Sequence, residues 1–205
     1  YVCLDVSTQE EKLAGVPRRP DPSRHRPPPV THAAPELVDR AAACLAGAQR
    51  PLILMGRVSR DVASWNARIE LAEKLNARVF TDLKVGAAFP TDHPLHAAPP
   101  SIFLDPAAAK TLREADVVMS LDWVDLAGTL KQAWGTDEVG SRVIQVSNDQ
   151  TLHNAVSMDH QGLPPTDLYL FCAPEPAVDD LLRALPSKSS RALPVATPTA
   201  TQTRA

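Results

Sequence analysis

Two short segments of the chain carry residue types that could bind an ion. The segment Asp92-His93-Pro94-Leu95-His96 offers a carboxylate and two imidazoles, which are common metal ligands. The same residues also suit a turn, because aspartate accepts hydrogen bonds from nearby backbone and a residue before proline favours extended geometry. We favour the turn, with Asp92 capping it.

The second segment, Gly56-Arg57-Val58-Ser59-Arg60, follows a short apolar run and leads into a helical pattern. Two guanidinium groups beside a helix start could hold a phosphate through charge-assisted hydrogen bonds. A helix N-cap at Ser59 or Asp61 accounts for the same residues without a ligand, since short polar side chains accept from the first helical N–H groups. We favour the cap.

The elements that position these segments alternate between apolar runs and helical patterns. Strands are predicted at 52–55, 78–81, 116–121, 142–146 and 168–172. Helices are predicted at 35–48, 62–75, 106–114 (with Asp105 as N-cap), 126–134 and 176–185. The strands are continuously apolar, which indicates a sheet covered on both faces. The pattern predicts a doubly wound α/β fold, with a mainly parallel sheet of about six strands and helices on both faces.

The apolar side of the helix at 62–75 is predicted from spacing alone. Val62, Trp65, Ile69, Ala72 and Leu75 recur at helical intervals and therefore fall on one side of the helix.

Composition limits the class of protein. The chain has 205 residues and a formal net charge of −3, and 44% of its residues are hydrophobic, which fits one domain with flexible ends. The folded part has no basic run, so nucleic acid and anionic membranes are not expected partners. No apolar run approaches the ~20 residues of a membrane span. Cys3, Cys44 and Cys172 are odd in number and far apart, which argues against disulfides and favours the cytoplasm.

Both ends differ in composition from the centre. Residues 1–6 form a strand-like run, predicted to be the last strand of a preceding domain that ends near residue 15. Residues 16–35 hold seven prolines among four arginines and are predicted to be a linker. Residues 187–205 are rich in Ser, Thr, Ala and Pro, which predicts a disordered linker. The folded domain is therefore predicted to span 36–186.

The order of several short motifs along residues 36–185 identifies a family. These motifs are Arg50-Pro51, Gly56, Lys84, Gly86, Phe89-Pro90, Asp92-His93-Pro94-Leu95 and Ala115-Asp116. Their order resembles the central domain of thiamine-diphosphate-dependent enzymes, in particular the acetolactate synthase, oxalyl-CoA decarboxylase and benzoylformate decarboxylase group. The resemblance implies a Rossmann-like domain between a pyrimidine-binding domain that ends at about residue 15 and a diphosphate-binding domain beyond residue 205.

The resemblance also implies where catalysis occurs. The family holds thiamine diphosphate through magnesium at a Gly-Asp-Gly motif, which this chain lacks, and its catalytic glutamate lies in the first domain. The chain is thus expected to contain no catalytic residue and no cofactor of its own. We expect a structural spacer and interface domain of a decarboxylase or carboligase acting on a 2-keto acid or acyl-CoA. Its expected partners are the flanking domains, in a homodimeric or homotetrameric parent.

A nucleotide-binding module is the alternative, because the central domain of some family members binds FAD or ADP. The positions that would then contact the cofactor are Gly56, Arg57, Lys84, Gly86, Asp122 and Asn148. A diphosphate requires glycines where backbone approaches it closely. The first turn here offers only Gly56, and Asp122-Trp123-Val124-Asp125 stands where flavin-binding members carry Gly-Ala-Arg. An empty site is therefore the favoured prediction.

Overall fold

A computed structural model describes residues 3–27, 29–149, 160 and 162–186. In this part of the chain the helices are α1 (Val6–Glu10), α2 (Pro35–Gly47), α3 (Val62–Leu75), α4 (Pro106–Glu114), α5 (Leu126–Trp134) and α6 (Pro174–Ala184). The strands are β1 (Pro51–Met55), β2 (Arg78–Thr81), β3 (Val117–Leu121), β4 (Arg142–Val146) and β5 (Leu168–Leu170). All five strands and five helices predicted between residues 35 and 185 are present. The largest errors in their bounds are two residues, at the end of β5 and the start of α6.

The strands form one parallel sheet in the order β2-β1-β3-β4-β5. This order confirms the doubly wound fold. The described residues form five strands rather than the predicted six or so. The position beyond β2 is occupied by a segment that makes a single bridge, between His96 and Val79. Pro94 on one side and Pro99-Pro100 on the other prevent a longer strand, because proline cannot donate to a ladder.

Each strand contributes to two cores, because successive side chains point to opposite faces. On one face, Ile53, Met119 and Ile144 pack with α2, α3 and α6. On the other face, Leu54 and Val118 pack with α4 and α5. Helices therefore cover both faces, as the continuously apolar strands predicted.

Aspartates cap four of the described α-helices, namely α1, α3, α4 and α5. Asp61 accepts a hydrogen bond from the Ser64 N–H at 3.1 Å, which identifies Asp61 rather than Ser59 as the cap of α3. Asp105 caps α4 as predicted, accepting from the Ala108 N–H at 2.7 Å. These short side chains satisfy N–H groups that have no partner within the helix.

One local prediction is wrong, and another holds only in part. The predicted strand at 1–6 is not formed in its described part, because Asp5 accepts from the Ser7 N–H and caps the exposed helix α1 instead. The predicted apolar side of α3 holds in part, because Ala72 is buried and Ile69 and Leu75 pack against the core. Val62 is 72% exposed, whereas the buried residues of α3 are Arg68, Leu71 and Ala72. Because Arg68 is buried, the buried face of α3 differs from the face that apolar spacing alone defines.

Candidate functional site

The carboxyl ends of β1 and β3 frame the crevice where a doubly wound sheet usually binds its ligand. The chain leaves β1 toward β2 on one side and β3 toward β4 on the other, so the connections diverge at this point. Gly56 directly follows β1 and Asp122 directly follows β3. The structure thus brings two of the predicted site residues together.

Gly56 lies against the chain's own backbone. Its N–H donates to the Leu121 carbonyl at 3.0 Å. A Cβ added at Gly56 would lie 2.2 Å from the Asp122 carbonyl oxygen and 2.5 Å from the Trp123 Cα. The glycine is therefore required by the contact between the β1 and β3 ends, which leaves no clearance for a diphosphate at this atom.

Arg57 joins three strand ends. Its N–H donates to the Asp122 carbonyl at 3.0 Å, and its Nε lies 2.9 Å from Asp122 Oδ2. Its Nη2 also forms an ion pair with Asp149, which follows β4. The guanidinium bridges two carboxylates that the sequence separates by 27 residues, and Asn148 lies exposed beside this bridge.

Asp122 is fixed in an unusual backbone conformation. Its φ of 54° lies in the left-handed region, which aspartate tolerates better than most residues. The Ser147 hydroxyl donates to its Oδ1 at 2.6 Å, and its own N–H donates to the Val146 carbonyl at 2.8 Å. Tyr169 of β5 donates to the Asp149 carbonyl. The hydrogen-bonded cluster thus extends over the ends of β1, β3, β4 and β5.

This cluster does not fit a nucleotide diphosphate. Arg57, Asp122 and Asp149 together carry a formal charge of −1. A diphosphate would have to take the Arg57 guanidinium from both carboxylates, and these would then repel it at close range. No group of three or more His, Cys, Asp or Glu residues in the described ranges is arranged to hold a metal ion.

Lys84 and Gly86 lie in the loop that follows β2. The Lys84 N–H donates to Asp82 Oδ1 at 2.8 Å, and its side chain lines a shallow polar cavity with Trp123 and Asp125. An added Cβ at Gly86 would be in ordinary van der Waals contact with the Arg60 guanidinium, whose Nη2 lies 3.6 Å from its position. Gly86 therefore leaves more room beside the backbone than Gly56 does.

The segment 92–96 forms a turn rather than a metal site. His93 Nε2 lies 3.4 Å from Glu73, and its Nδ1 accepts from the Leu95 N–H at 3.2 Å. His96 Nε2 lies 3.0 Å from the Thr81 hydroxyl. Burial lowers the pKa of His96, against a smaller effect of the backbone at Thr91. Each imidazole therefore has its own structural partner.

One cavity lies away from the sheet edge. It is an open groove of about 430 Å³ between the start of α2 and the end of α6. His32 Nδ1 lies 2.9 Å from Asp180 Oδ2 at its rim. Nothing in the described part of the chain indicates a ligand for this groove.

Sequence reasoning missed one buried charge. Arg68 is 1% exposed and bonds to three backbone carbonyls, yet arginine on a helix is normally a surface residue. One observation could have revealed it, because Leu71 and Ala72 follow it by three and four residues and share its face.

Other sequence predictions concern cysteines and membranes. Cys3, Cys44 and Cys172 are all free thiols. Burial raises the pKa of Cys172 to about 11, against a smaller opposing effect of the Ala33 backbone. No helix in the described ranges has the length and hydrophobicity to cross a membrane.

Comparison with known proteins gives matches at the levels of family, sequence and fold. The family model described as "Thiamine pyrophosphate enzyme, central domain" matches residues 38–162. The sulfoacetaldehyde acetyltransferase of Roseovarius nubinhibens is 38% identical over 86 residues, which is 42% of this chain and 14% of that protein. The enzyme of the same name from Rhodobacter capsulatus is 38% identical over 96 residues, 47% of this chain and 16% of that protein.

Two solved structures share the fold. An enzyme from Mycobacterium smegmatis, described as thiamin diphosphate-dependent, aligns with a TM-score of 0.59 at 21% identity, covering 87% of this chain and 33% of that chain. Benzoylformate decarboxylase from Polynucleobacter necessarius aligns with a TM-score of 0.62 at 20% identity, covering 93% of this chain and 34% of that chain. At these identities the likeness concerns the fold alone. The chain spans about a third of both solved chains and 14–16% of the two curated relatives.

Proposed function

Since the chain belongs to the family of thiamine pyrophosphate enzyme central domains, we propose that it is a non-catalytic spacer and interface domain of a longer thiamine-diphosphate-dependent enzyme. The observation that carries this proposal is the filled crevice at the carboxyl ends of β1 and β3. Gly56 is in contact with the backbone of Asp122, and Arg57 is paired with Asp122 and Asp149. The domain's own side chains thereby take the place of a ligand.

The proposal follows from what a bound nucleotide requires. A diphosphate needs backbone N–H groups turned toward it and glycines that let it approach. Here the N–H groups of Gly56 and Arg57 already donate to the carbonyls of Leu121 and Asp122. Binding would have to break both hydrogen bonds and an ion-paired network, and each buried group left without a partner costs about 1–3 kcal/mol.

The parent enzyme is also part of the proposal. We expect it to hold thiamine diphosphate and magnesium in its flanking domains, at sites this chain does not supply. A 2-keto acid or an acyl-CoA is its proposed substrate class. The two relatives named sulfoacetaldehyde acetyltransferase support acyl-group chemistry for the parent. We further propose a homodimer or homotetramer in the cytoplasm.

The domain boundaries remain those proposed from sequence. Residues 1–15 would end a pyrimidine-binding domain, 16–35 would be a linker, and 36–186 would be the central domain. Residues 187–205, which lie outside the described residues, would lead to a diphosphate-binding domain. The parent's reaction is tested on the longer chain, with sulfoacetaldehyde and benzoylformate as substrates, in the presence and absence of thiamine diphosphate.

A thermal-shift screen tests the spacer function directly. The chain is titrated with millimolar FAD, ADP, ATP, CoA and NAD, and with thiamine diphosphate plus magnesium. A ligand present at 100 times its Kd would add about 2.7 kcal/mol of stability, which a melting curve detects readily. We expect no shift with any of these ligands.

A positive result would identify the alternative function. A rise in Tm with ADP or FAD that is lost in the Lys84→Met variant would support a nucleotide-binding module in the loop after β2. It would overturn the spacer proposal. The exposed substitution Lys110→Met, on the outside of α4, is the matched control for a general effect of removing a lysine charge.

A further inference from the structure

The guanidinium of Arg68 lies beneath two loops at the carboxyl edge of the sheet. Its Nε donates to the Ala88 carbonyl at 3.0 Å, and its Nη2 donates to the carbonyls of Ser59 at 2.9 Å and Ala87 at 3.3 Å. Ser59 belongs to the loop between β1 and α3, whereas Ala87 and Ala88 belong to the loop that follows β2. One planar side chain therefore bonds both loops at once, which its fixed fork of donors makes possible.

Glu175, in the first turn of α6, completes this arrangement. Its Oε1 accepts from the Ser59 N–H, so the Ser59 residue is bonded to Glu175 through its N–H and to Arg68 through its carbonyl. Burial lowers the pKa of Arg68, and the nearby charges of Glu175 and Asp61 oppose that effect. A buried charge needs such compensation, because desolvation alone is costly.

The loop after β2 has an unfavourable backbone conformation at one residue that Arg68 contacts. Ala87 has a φ of 56°, in the left-handed region where a Cβ is unfavourable. Residues in such conformations persist when surrounding contacts determine them. The contact here is the hydrogen bond from Arg68 to the Ala87 carbonyl, so the conformation of the loop after β2 depends on a residue of α3.

One donor of Arg68 is not used by these contacts. Its Nη1 is buried and has no hydrogen-bond partner among the described residues. Arg68 also lines a cavity of about 10 Å³ between α3 and α6, with Ser64, Glu175 and Asp179. That volume is about the size needed for one water molecule, which would satisfy the remaining donor.

We propose that Arg68 and Glu175 form a positioning pair that couples the loop between β1 and α3 to the loop after β2. Through this pair, a change in either loop is transmitted to the other. The two loops carry Arg57, Lys84 and Gly86, so the pair sets the relative positions of the residues at the carboxyl edge. This inference goes beyond the spacer function and does not depend on it, because the coupling holds whether the crevice is filled or binds a ligand.

Hydrogen exchange by NMR on the whole 205-residue chain tests the coupling. The first variant is Glu175→Gln, which keeps the shape of the side chain and removes its charge. The second is Arg68→Lys, which keeps the charge but loses the planar guanidinium and its several N–H donors. Arg40→Met, an exposed arginine of α2, is the control. The readouts are the Ser59 amide in the first loop, the Lys84 and Val85 amides in the second, and the amides of β1 and β3.

We expect Arg68→Lys to lower the protection of the Ser59, Lys84 and Val85 amides by about tenfold, as for the loss of a hydrogen bond to a charged group. Glu175→Gln should lower protection in the same two loops, although Glu175 bonds only to the first. The amides of β1 and β3 should change less than those of the loops. If Glu175→Gln affects Ser59 alone, or if loops and strands change equally, the coupling is refuted. Glu175→Gln provides the decisive result should Arg68→Lys fail to fold.

Discussion

Two arginines make contacts across the carboxyl edge of the sheet. Arg57 does so through exposed ion pairs, and Arg68 through buried hydrogen bonds to backbone carbonyls. Arg57 lies at the crevice end of this edge, where its side chain is 47% exposed and pairs with Asp122 and Asp149. Arg68 lies beneath the outer loops, where it is 1% exposed and bonds to carbonyls. Exposed ion pairs contribute little to stability, because water already solvates both charges. A buried charge contributes little on balance but is costly to disrupt, because its partners cannot return to water.

Comparing Arg57 with Arg68 shows which side chains at this edge contribute most to stability. Arg57 follows a recognisable glycine turn and attracts attention in the sequence. Arg68 sits within a helical pattern, and nothing but its apolar neighbours at i+3 and i+4 distinguishes it. We expect Arg57, which stands out in the sequence, to contribute less to stability than Arg68.

Replacement of Arg68 by methionine should have the largest effect on folding. The substitution leaves the carbonyls of Ser59, Ala87 and Ala88 without their donor. A buried acceptor left without a partner costs about 1–3 kcal/mol, and three acceptors are affected here, so the loss should exceed that of an exposed ion pair. Urea unfolding measures the change, with Arg40→Met on the surface of α2 as the control. A loss below about 1 kcal/mol, the range of exposed pairs, would mean that the two arginines do not differ.

Gly56→Ala should come next, at the opposite end of the same edge. The new Cβ would lie 2.2 Å from the Asp122 carbonyl oxygen, which belongs to the backbone and cannot rotate away. Overpacking of this kind costs about 1–3 kcal/mol, and a backbone clash should reach the upper part of that range.

Gly47→Ala is the matched control for this glycine. Gly47 ends α2, and no atom lies within 4 Å of the position of its added Cβ. This change should be neutral or stabilising by a few tenths of a kcal/mol, up to about 1 kcal/mol. Equal melting temperatures for Gly56→Ala and the wild-type chain would show that the β1 and β3 ends can separate, and would reopen the crevice to a ligand.

The same two regions show how far the sequence predicts the structure. Apolar runs and aspartate caps lie close together in the chain, so the strands, helices and the cap at Asp105 could be predicted. The partners of Arg57 lie 65 and 92 residues away, and only the strand order brings them together. Sequence alone therefore identified Gly56 as a close-approach position but not what approaches it.

The errors have a similar cause. The predicted side of α3 assumed that only apolar residues are buried, and Arg68 breaks that assumption because backbone carbonyls surround it. The sheet was expected to have about six strands, whereas the described residues form five, and the segment beyond β2 makes only one bridge, at His96, between nearby prolines. In both cases a tertiary contact or a missing donor overrode the local pattern.

The outer part of the edge should also be sensitive to pH. Burial lowers the pKa of His96, which stacks against Phe89 at the end of the loop after β2. Because the folded-state pKa lies below the ordinary value of 6.5, the stabilisation is complete above pH 6.5 and declines as the pH falls through the folded-state pKa. His96→Gln removes this titration while keeping a polar partner for Thr81.

Unfolding free energies of the wild-type chain and His96→Gln, measured at pH 7.5 and pH 5.5, give the comparison. Relative to the variant, the wild-type chain should lose stability at the lower pH. Carboxylates that titrate in both proteins cancel in this difference. His25→Gln, at an exposed histidine before α2, is the matched control substitution. A difference between wild type and His96→Gln that does not vary with pH would contradict the assigned cause.

Arg57→Met should have the smallest effect of the four. The guanidinium is half exposed, so its loss should cost about 0.2–1 kcal/mol, as for other solvent-accessible ion pairs. The cost should shrink further in 1 M salt, where the screening length falls to about 3 Å. Lys110→Met, which removes the exposed pair with Glu114 on α4, serves as the control for a surface charge. A loss as large as that of Arg68→Met, unchanged by salt, would mean that the cluster at the β1 and β3 ends acts as a buried network. In that case Arg57 would contribute more to stability than its exposure implies, and the proposed difference between the two arginines would be wrong.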